Sequence, residues 1–188
     1  MARRTPQGGV RPGAAVTPPP HDDATPGLDA VFLSPGTLHC AALPSRVTTI
    51  LGSCVAVCLW DSRLRFAGIN HYLLPHRHDA DPSLRFGDTA IEALLREMQL
   101  LGCQRASLQA KLFGGAAVLP SASGGDPVGD QNVRVALDML CRHGVPVMAR
   151  VTGGRSGMLI RLFTETGDVM VRRLAAGATA RSRHRGPE

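Results

Sequence analysis

Val55-Ala56-Val57-Cys58-Leu59-Trp60-Asp61-Ser62-Arg63-Leu64-Arg65-Phe66-Ala67-Gly68-Ile69-Asn70-His71-Tyr72-Leu73 (residues 55–73) is two apolar runs separated by a short polar break. Each run is rich in branched and aromatic side chains, which suit a pleated, buried surface. The spacing predicts an antiparallel hairpin of residues 55–60 with 64–73, turning over 61–64 with Ser62-Arg63 at its tip. Cross-strand partners then have numbers that sum to about 125. Cys54, just before the first run, falls opposite His71 in that register. Directly opposed Cβ atoms lie roughly 4.5–5.5 Å apart, within reach of a thiol–imidazole contact. A slip of one residue would send the two side chains to opposite faces.

The same alternation of branched runs with Gly, Pro, Ser or Asp predicts further strands over 46–51, 106–113, 145–151, 158–163 and 169–174. Glu165-Thr166-Gly167-Asp168 reads as the turn that joins the last two. Two amphipathic helices are expected. The first runs over 89–101, with Ile91, Leu94, Leu95, Met98 and Leu101 as its apolar stripe, Asp88 as N-cap and Gly102 as its stop. The second runs over 131–143, with Val133, Ala136, Leu137, Leu140 and Cys141 on one face, Asp130 before it and Gly144 after it. Strands outnumbering two core-facing helices predict a compact layered α/β sandwich with a mixed or antiparallel sheet.

The chain has 188 residues, 44% of them apolar and 19% charged. That suits one domain, expected over 29–176. Residues 1–28 are rich in Gly, Pro, Ala and Thr, and residues 177–188 carry Arg181, Arg183 and Arg185. Neither can bury enough surface to offset its ordering entropy, so both are expected to be disordered flanks. Of the formal net charge of +6, half belongs to these flanks. The domain is mildly basic and lacks a concentrated cationic stripe with stacking aromatics, which argues against a nucleic-acid partner. No apolar stretch approaches the roughly 20 residues of a membrane span. Arg3 and Arg4 have no apolar run behind them, unlike a secretory signal. Five scattered cysteines do not form a secreted disulfide framework, so free thiols in a reducing cytosol are expected.

Candidate chemistry concentrates in Leu51-Gly52-Ser53-Cys54 and Asn70-His71. A glycine turn before Cys54 would present its sulfur at the mouth of a strand, and the N–H groups of Gly52 and Ser53 could face a developing oxyanion. On the residues alone, the default reading of Cys54 is a small buried hydrophobe, and that of His71 a hydrogen-bonded structural histidine. A zinc set is the second alternative: Cys54, Cys58, His71 and His76 follow a C-x3-C-x12-H-x4-H spacing. Against it, Pro75 precedes His76, and the segment reads as strand where a zinc finger needs a helix. Cys58 sits inside an apolar run and Cys141 on a helix stripe. Gly114-Gly115 and Gly153-Gly154 match neither phosphate-binding fingerprint and read as tight turns or places of close backbone approach. His76 and His78 are expected in an exposed loop.

Several separated blocks then occur in one order: Pro35-Gly36, Leu51-Gly52-Ser53-Cys54-Val55-Ala56-Val57, Asn70-His71-Tyr72-Leu73-Leu74-Pro75, Arg85-Phe86-Gly87-Asp88, Lys111-Leu112-Phe113-Gly114-Gly115-Ala116, Gly153-Gly154 and Glu165-Thr166-Gly167. Together they resemble the CheD family of chemoreceptor glutamine deamidases over about residues 31–174. The resemblance implies an α/β sandwich similar to the catalytic domain of bacterial glutamine-deamidating toxins. It implies hydrolysis of selected glutamine side chains of methyl-accepting chemotaxis receptors, with no cofactor and no metal. Its catalytic Cys, His and Thr map onto Cys54, His71 and Thr48, with Thr49 the adjacent alternative for the third. It also implies that the phosphatase CheC can be a partner. A non-catalytic adaptor, and a receptor methylesterase using the same Cys and His, are the competing readings, since esters and amides share a tetrahedral intermediate.

Overall fold

The computed structural model describes residues 29–77, 81–117 and 126–175. The expected flanks 1–28 and 177–188, and His78, lie outside the described residues. The chain forms strands β1 (Asp29–Phe32), β2 (Thr37–Ala41), β3 (Ser45–Leu51), β4 (Val55–Asp61) and β5 (Phe66–His71), helix α1 (Gly87–Leu100), strand β6 (Leu108–Gly114), helix α2 (Val128–Arg142), and strands β7 (Val147–Thr152), β8 (Met158–Phe163) and β9 (Asp168–Arg173). One sheet has the order β1-β3-β8-β9 and the other β2-β5-β4-β6-β7. Both are mixed: β1–β3 and β6–β7 are parallel pairs, the rest antiparallel. This is the layered α/β architecture expected from the sequence, with the sheet strands divided between two stacked layers.

Burial explains the order of the layers. The helices cover one face of the five-stranded sheet, where Ile91, Leu94 and Met98 of α1 and Ala136 and Leu140 of α2 meet Val55, Val57 and Leu59 of β4. The other face of that sheet packs on the four-stranded sheet, joining Ala56, Cys58 and Ile69 to Val47, Leu51, Met158, Ile160 and Leu162. β4 is thus buried on both faces, which is why it reads as an unbroken apolar run. β3 and β8 alternate buried and more exposed positions, as strands with only one covered face do. None of the described helices is long and apolar enough to cross a membrane.

The hairpin differs from expectation in its loop. Cys58 pairs with Ile69 and Asp61 with Phe66, and Val55 bridges Tyr72, so partners sum to 127 and not 125. Four residues, 62–65, make the turn. The Asp61 carboxylate accepts the N–H groups of Arg63 (2.9 Å) and Leu64 (3.2 Å), and the Arg65 N–H bonds to the Asp61 carbonyl (2.8 Å). The wider turn shifts the register by two, which keeps the expected faces. The helices also start earlier than expected, at Gly87 and Val128. Asp88 and Asp130 therefore lie inside the first turns instead of capping them, still favourable beside the positive end of the helix dipole. Gly102 (φ 94°) and Gly144 (φ 67°) stop the helices as expected. The core face of α2 is rotated from its apolar stripe: Asn132, Val135, Ala136, Met139 and Leu140 are buried, and Cys141 is exposed.

Candidate active site

β4 and β5 carry the two candidate groups, and the sheet's pleat decides their side. Val55 and Tyr72 exchange both backbone hydrogen bonds (3.1 and 3.0 Å) and face the helices. Side chains alternate along a strand, so Cys54 and His71, each one residue before its end of that pair, share the opposite face, between the sheets. Cys54 packs against the inter-sheet core. The two are diagonal neighbours, not the direct pair the shorter loop implied. Diagonal partners have Cα atoms roughly 7–8 Å apart.

The third group comes from the other sheet. Ser45, Val47, Thr49 and Leu51 are the buried positions of β3, and Thr49 Oγ1 lies 2.8 Å from His71 Nδ1. Thr48, onto which the resemblance mapped the third residue, is turned away, with its hydroxyl 3.5 Å from Arg161 Nε. The difference is one of strand parity: both neighbours fit the sequence, but the odd positions of β3 look inward, so Thr49 is the threonine placed against His71. Thr49 Oγ1 also donates to the Leu33 carbonyl at 2.8 Å. A hydroxyl has one proton. With that proton committed to Leu33, the oxygen accepts from His71, so Nδ1 carries the imidazole proton. Nε2 is left with its lone pair, buried and without a hydrogen-bond partner.

Electrostatics favour the neutral forms of both groups. Burial lowers the His71 pKa from 6.5 to about 4, opposed only in part by the Leu33 carbonyl. Burial raises the Cys54 thiol, with the residue's own backbone N–H pulling the other way. The resting pair is a thiol and a neutral imidazole, and the proton moves during attack rather than before it. Cys58, fully buried, is pushed up to about 12 and is a core thiol.

The same shift makes a stability prediction. An imidazole whose folded pKa (about 4) lies below its unfolded value (6.5) gives stability that is full above pH 6.5 and is lost as pH falls towards 4. Urea unfolding at pH 7 and pH 4.5 should show wild type losing about 2 kcal/mol more than His71→Gln. Equal losses would contradict a buried neutral imidazole.

The turn holding Cys54 is shaped mainly from across the sheet. The chain bends at Gly52 and Ser53 as expected, with Gly52 outside the left-handed region, whereas Gly114 (φ 106°) and Gly115 (φ 69°) adopt it. A Cβ on Gly114 would sit 2.2 Å from the Cys54 carbonyl oxygen, which instead accepts the Gly115 N–H at 2.8 Å. The Gly52 carbonyl accepts the Ala116 N–H, also at 2.8 Å. These glycines are places of close backbone approach, as the sequence suggested. Among the described residues, no backbone carbonyl takes up the N–H of Ser53 or Cys54. His76 is apart from this cluster, 3.8 Å from Asp88 and with its side chain 68% exposed. Among the described residues, no three His, Cys, Asp or Glu side chains converge as a metal set.

One residue was missed altogether. Asn132 of α2 is fully buried, and its Nδ2 donates to the Ser53 carbonyl (3.0 Å) and the Leu73 carbonyl (2.9 Å). The signal was available: positions 132, 136, 139 and 140 share one helical face, and a polar residue on a core face requires internal partners.

Fold and site together define an α/β protein that places a partly exposed thiol and a buried, hydrogen-bonded imidazole on one inner sheet face. The family model described as CheD chemotactic sensory transduction matches residues 73–173. A Rhodospirillum rubrum protein named "Probable chemoreceptor glutamine deamidase CheD" is 51% identical over 148 residues, covering 79% of this chain and 84% of its own. An Anaeromyxobacter dehalogenans protein named "Probable chemoreceptor glutamine deamidase CheD 1" is 41% identical over 148 residues, covering 79% of this chain and 86% of its own. The chain belongs to the CheD family. The crystal structure of Bacillus licheniformis hypothetical protein YfiH aligns with 61% of this chain and 49% of that one, at 16% identity and a TM-score of 0.41.

Proposed function

We propose that this chain deamidates glutamine side chains of chemoreceptors, using Cys54 as nucleophile and His71 as acid–base partner. The observation that carries the chemistry is the chain from the Leu33 carbonyl through the Thr49 hydroxyl to His71 Nδ1. It leaves Nε2 as a base on the face that Cys54 shares. The substrate class follows from the names of the relatives.

Cys54 Sγ attacks the carboxamide carbon as its proton passes to His71 Nε2. The carbonyl oxygen becomes an oxyanion at the N–H groups of the 52–54 turn, where one donor is typically worth about 2.7–4 kcal/mol of barrier. The imidazolium returns its proton to the departing nitrogen, and ammonia leaves a thioester on Cys54. His71 then takes a proton from water, hydroxide attacks the thioester, and glutamate and the thiol are released. Every proton is accounted for by His71 and water.

Incubation with a purified cytoplasmic receptor fragment should release ammonia, and its absence with folded protein would contradict the reading. Thr49 acts on His71 as a positioning residue. Thr49→Val is expected to slow turnover roughly ten-fold, the scale of one neutral hydrogen bond, while Thr48→Val stays near wild type. The reverse ranking in steady-state kinetics would show that the other face of β3 serves the site.

A further inference from the structure

We infer that Asn132 is a positioning residue that aims the backbone donor of the oxyanion site, an inference that rests on the proposed deamidase reading. The β4–β5 ladder is interrupted beside the site. Regular pairing ends at Cys58–Ile69, the Val57 N–H is taken by the Asn70 side chain at 2.9 Å, and contact resumes only at the Val55–Tyr72 bridge. Beyond that bridge, among the described residues, no ladder pairing continues to Ser53 and Leu73. Asn132 spans this opening with one amide group, whose two protons go to the Ser53 and Leu73 carbonyls. It therefore ties the segment bearing Cys54 to the segment bearing His71.

Its effect on Ser53 is directional. A trans peptide holds its C=O and N–H on opposite sides of a rigid plane, and the described residues contain no cis bonds. Drawing the Ser53 carbonyl towards α2 turns the Cys54 N–H the other way, towards the inter-sheet side where the Cys54 side chain packs. No backbone carbonyl competes for that N–H among the described residues. Asn132 is itself held: Tyr72 donates its hydroxyl to the Asn132 carbonyl at 2.7 Å. Gly115 and Gly129 let α2 approach closely, since a Cβ on Gly129 would lie 2.5 Å from the Gly115 carbonyl oxygen. The helix is anchored on both sides of the amide.

The test separates aiming the donor from keeping the fold. Asn132→Asp removes the two-pronged donor at unchanged bulk, and Asn132→Ser removes it with a smaller, neutral side chain. Two rates are read on each folded variant: deamidation of a receptor fragment, and alkylation of Cys54 by iodoacetamide, a substitution at saturated carbon that forms no oxyanion. The expected result is a fall of about 100-fold in kcat, the scale of losing one oxyanion donor, with little change in KM and alkylation within about three-fold of wild type. Unchanged kcat, an equal loss of both rates, or failure of both variants to fold would overturn the inference. A wild type that alkylates but does not deamidate would instead count against the deamidase reading.

Discussion

Cys54→Ala is expected to abolish deamidation, a loss on the order of ten-thousand-fold or more, as when a covalent nucleophile is removed from a working acid–base pair. Cys58→Ala and Cys141→Ala should retain most of the activity, for different reasons. Cys58 is fully buried in the inter-sheet core, its thiol held protonated by desolvation. Its loss costs packing, not chemistry. Cys141 is exposed on α2, off the buried face that carries Asn132. Only Cys54 combines partial exposure with a place on the face carrying His71. Kinetics on folded variants decide the matter: comparable losses in all three would remove Cys54 from its assigned role.

The second large effect comes from a residue with no side chain. Gly114→Ala should lower stability by about 3 kcal/mol or more, because the position is left-handed (φ 106°) and the new methyl would lie 2.2 Å from the Cys54 carbonyl oxygen. For a domain of this size that is a fall in Tm of roughly 10 °C. The obstacle is backbone on both sides, so relief requires the Cys54 turn to move, and a displacement near 1 Å can cost about 100-fold in rate. Gly144→Ala is the control. It is also left-handed (φ 67°), but a Cβ there meets nothing within 4 Å, so the expected cost is about 1–2 kcal/mol with turnover preserved. Equal Tm shifts in the two variants would mean that conformational strain, and not the close approach at Cys54, sets the cost.

The parts legible in the sequence were those fixed by burial on a large scale. β4 is covered on both sides and reads as a continuous apolar run, and α1 presents one clean stripe. β1 and β2 were not foreseen. They are four and five residues long, and β1 is mostly exposed, so neither carries an apolar pattern long enough to register. The hairpin register depended on loop length, and the Asp61 carboxylate that builds a four-residue turn has no periodic signal. Parity along β3 could not choose between Thr48 and Thr49, because the bend at Gly52 and Ser53 breaks the alternation that would relate either of them to Cys54. The apolar stripe of α2 was misread by about one position. The face that turns inward includes Asn132, whose value lies in two carbonyls that approach it only in the folded chain.

Mass spectrometry of a purified receptor cytoplasmic fragment, after incubation with wild-type protein or Cys54→Ala, decides whether Cys54 deamidates it. Replacing a side-chain NH2 by OH adds about one dalton per glutamine, and cleaving a methyl ester removes about fourteen. The one-dalton gain is expected at discrete glutamines with wild type and is expected to be absent with Cys54→Ala. No gain with wild type, a fourteen-dalton loss in its place, or the same gain with Cys54→Ala would contradict that expectation.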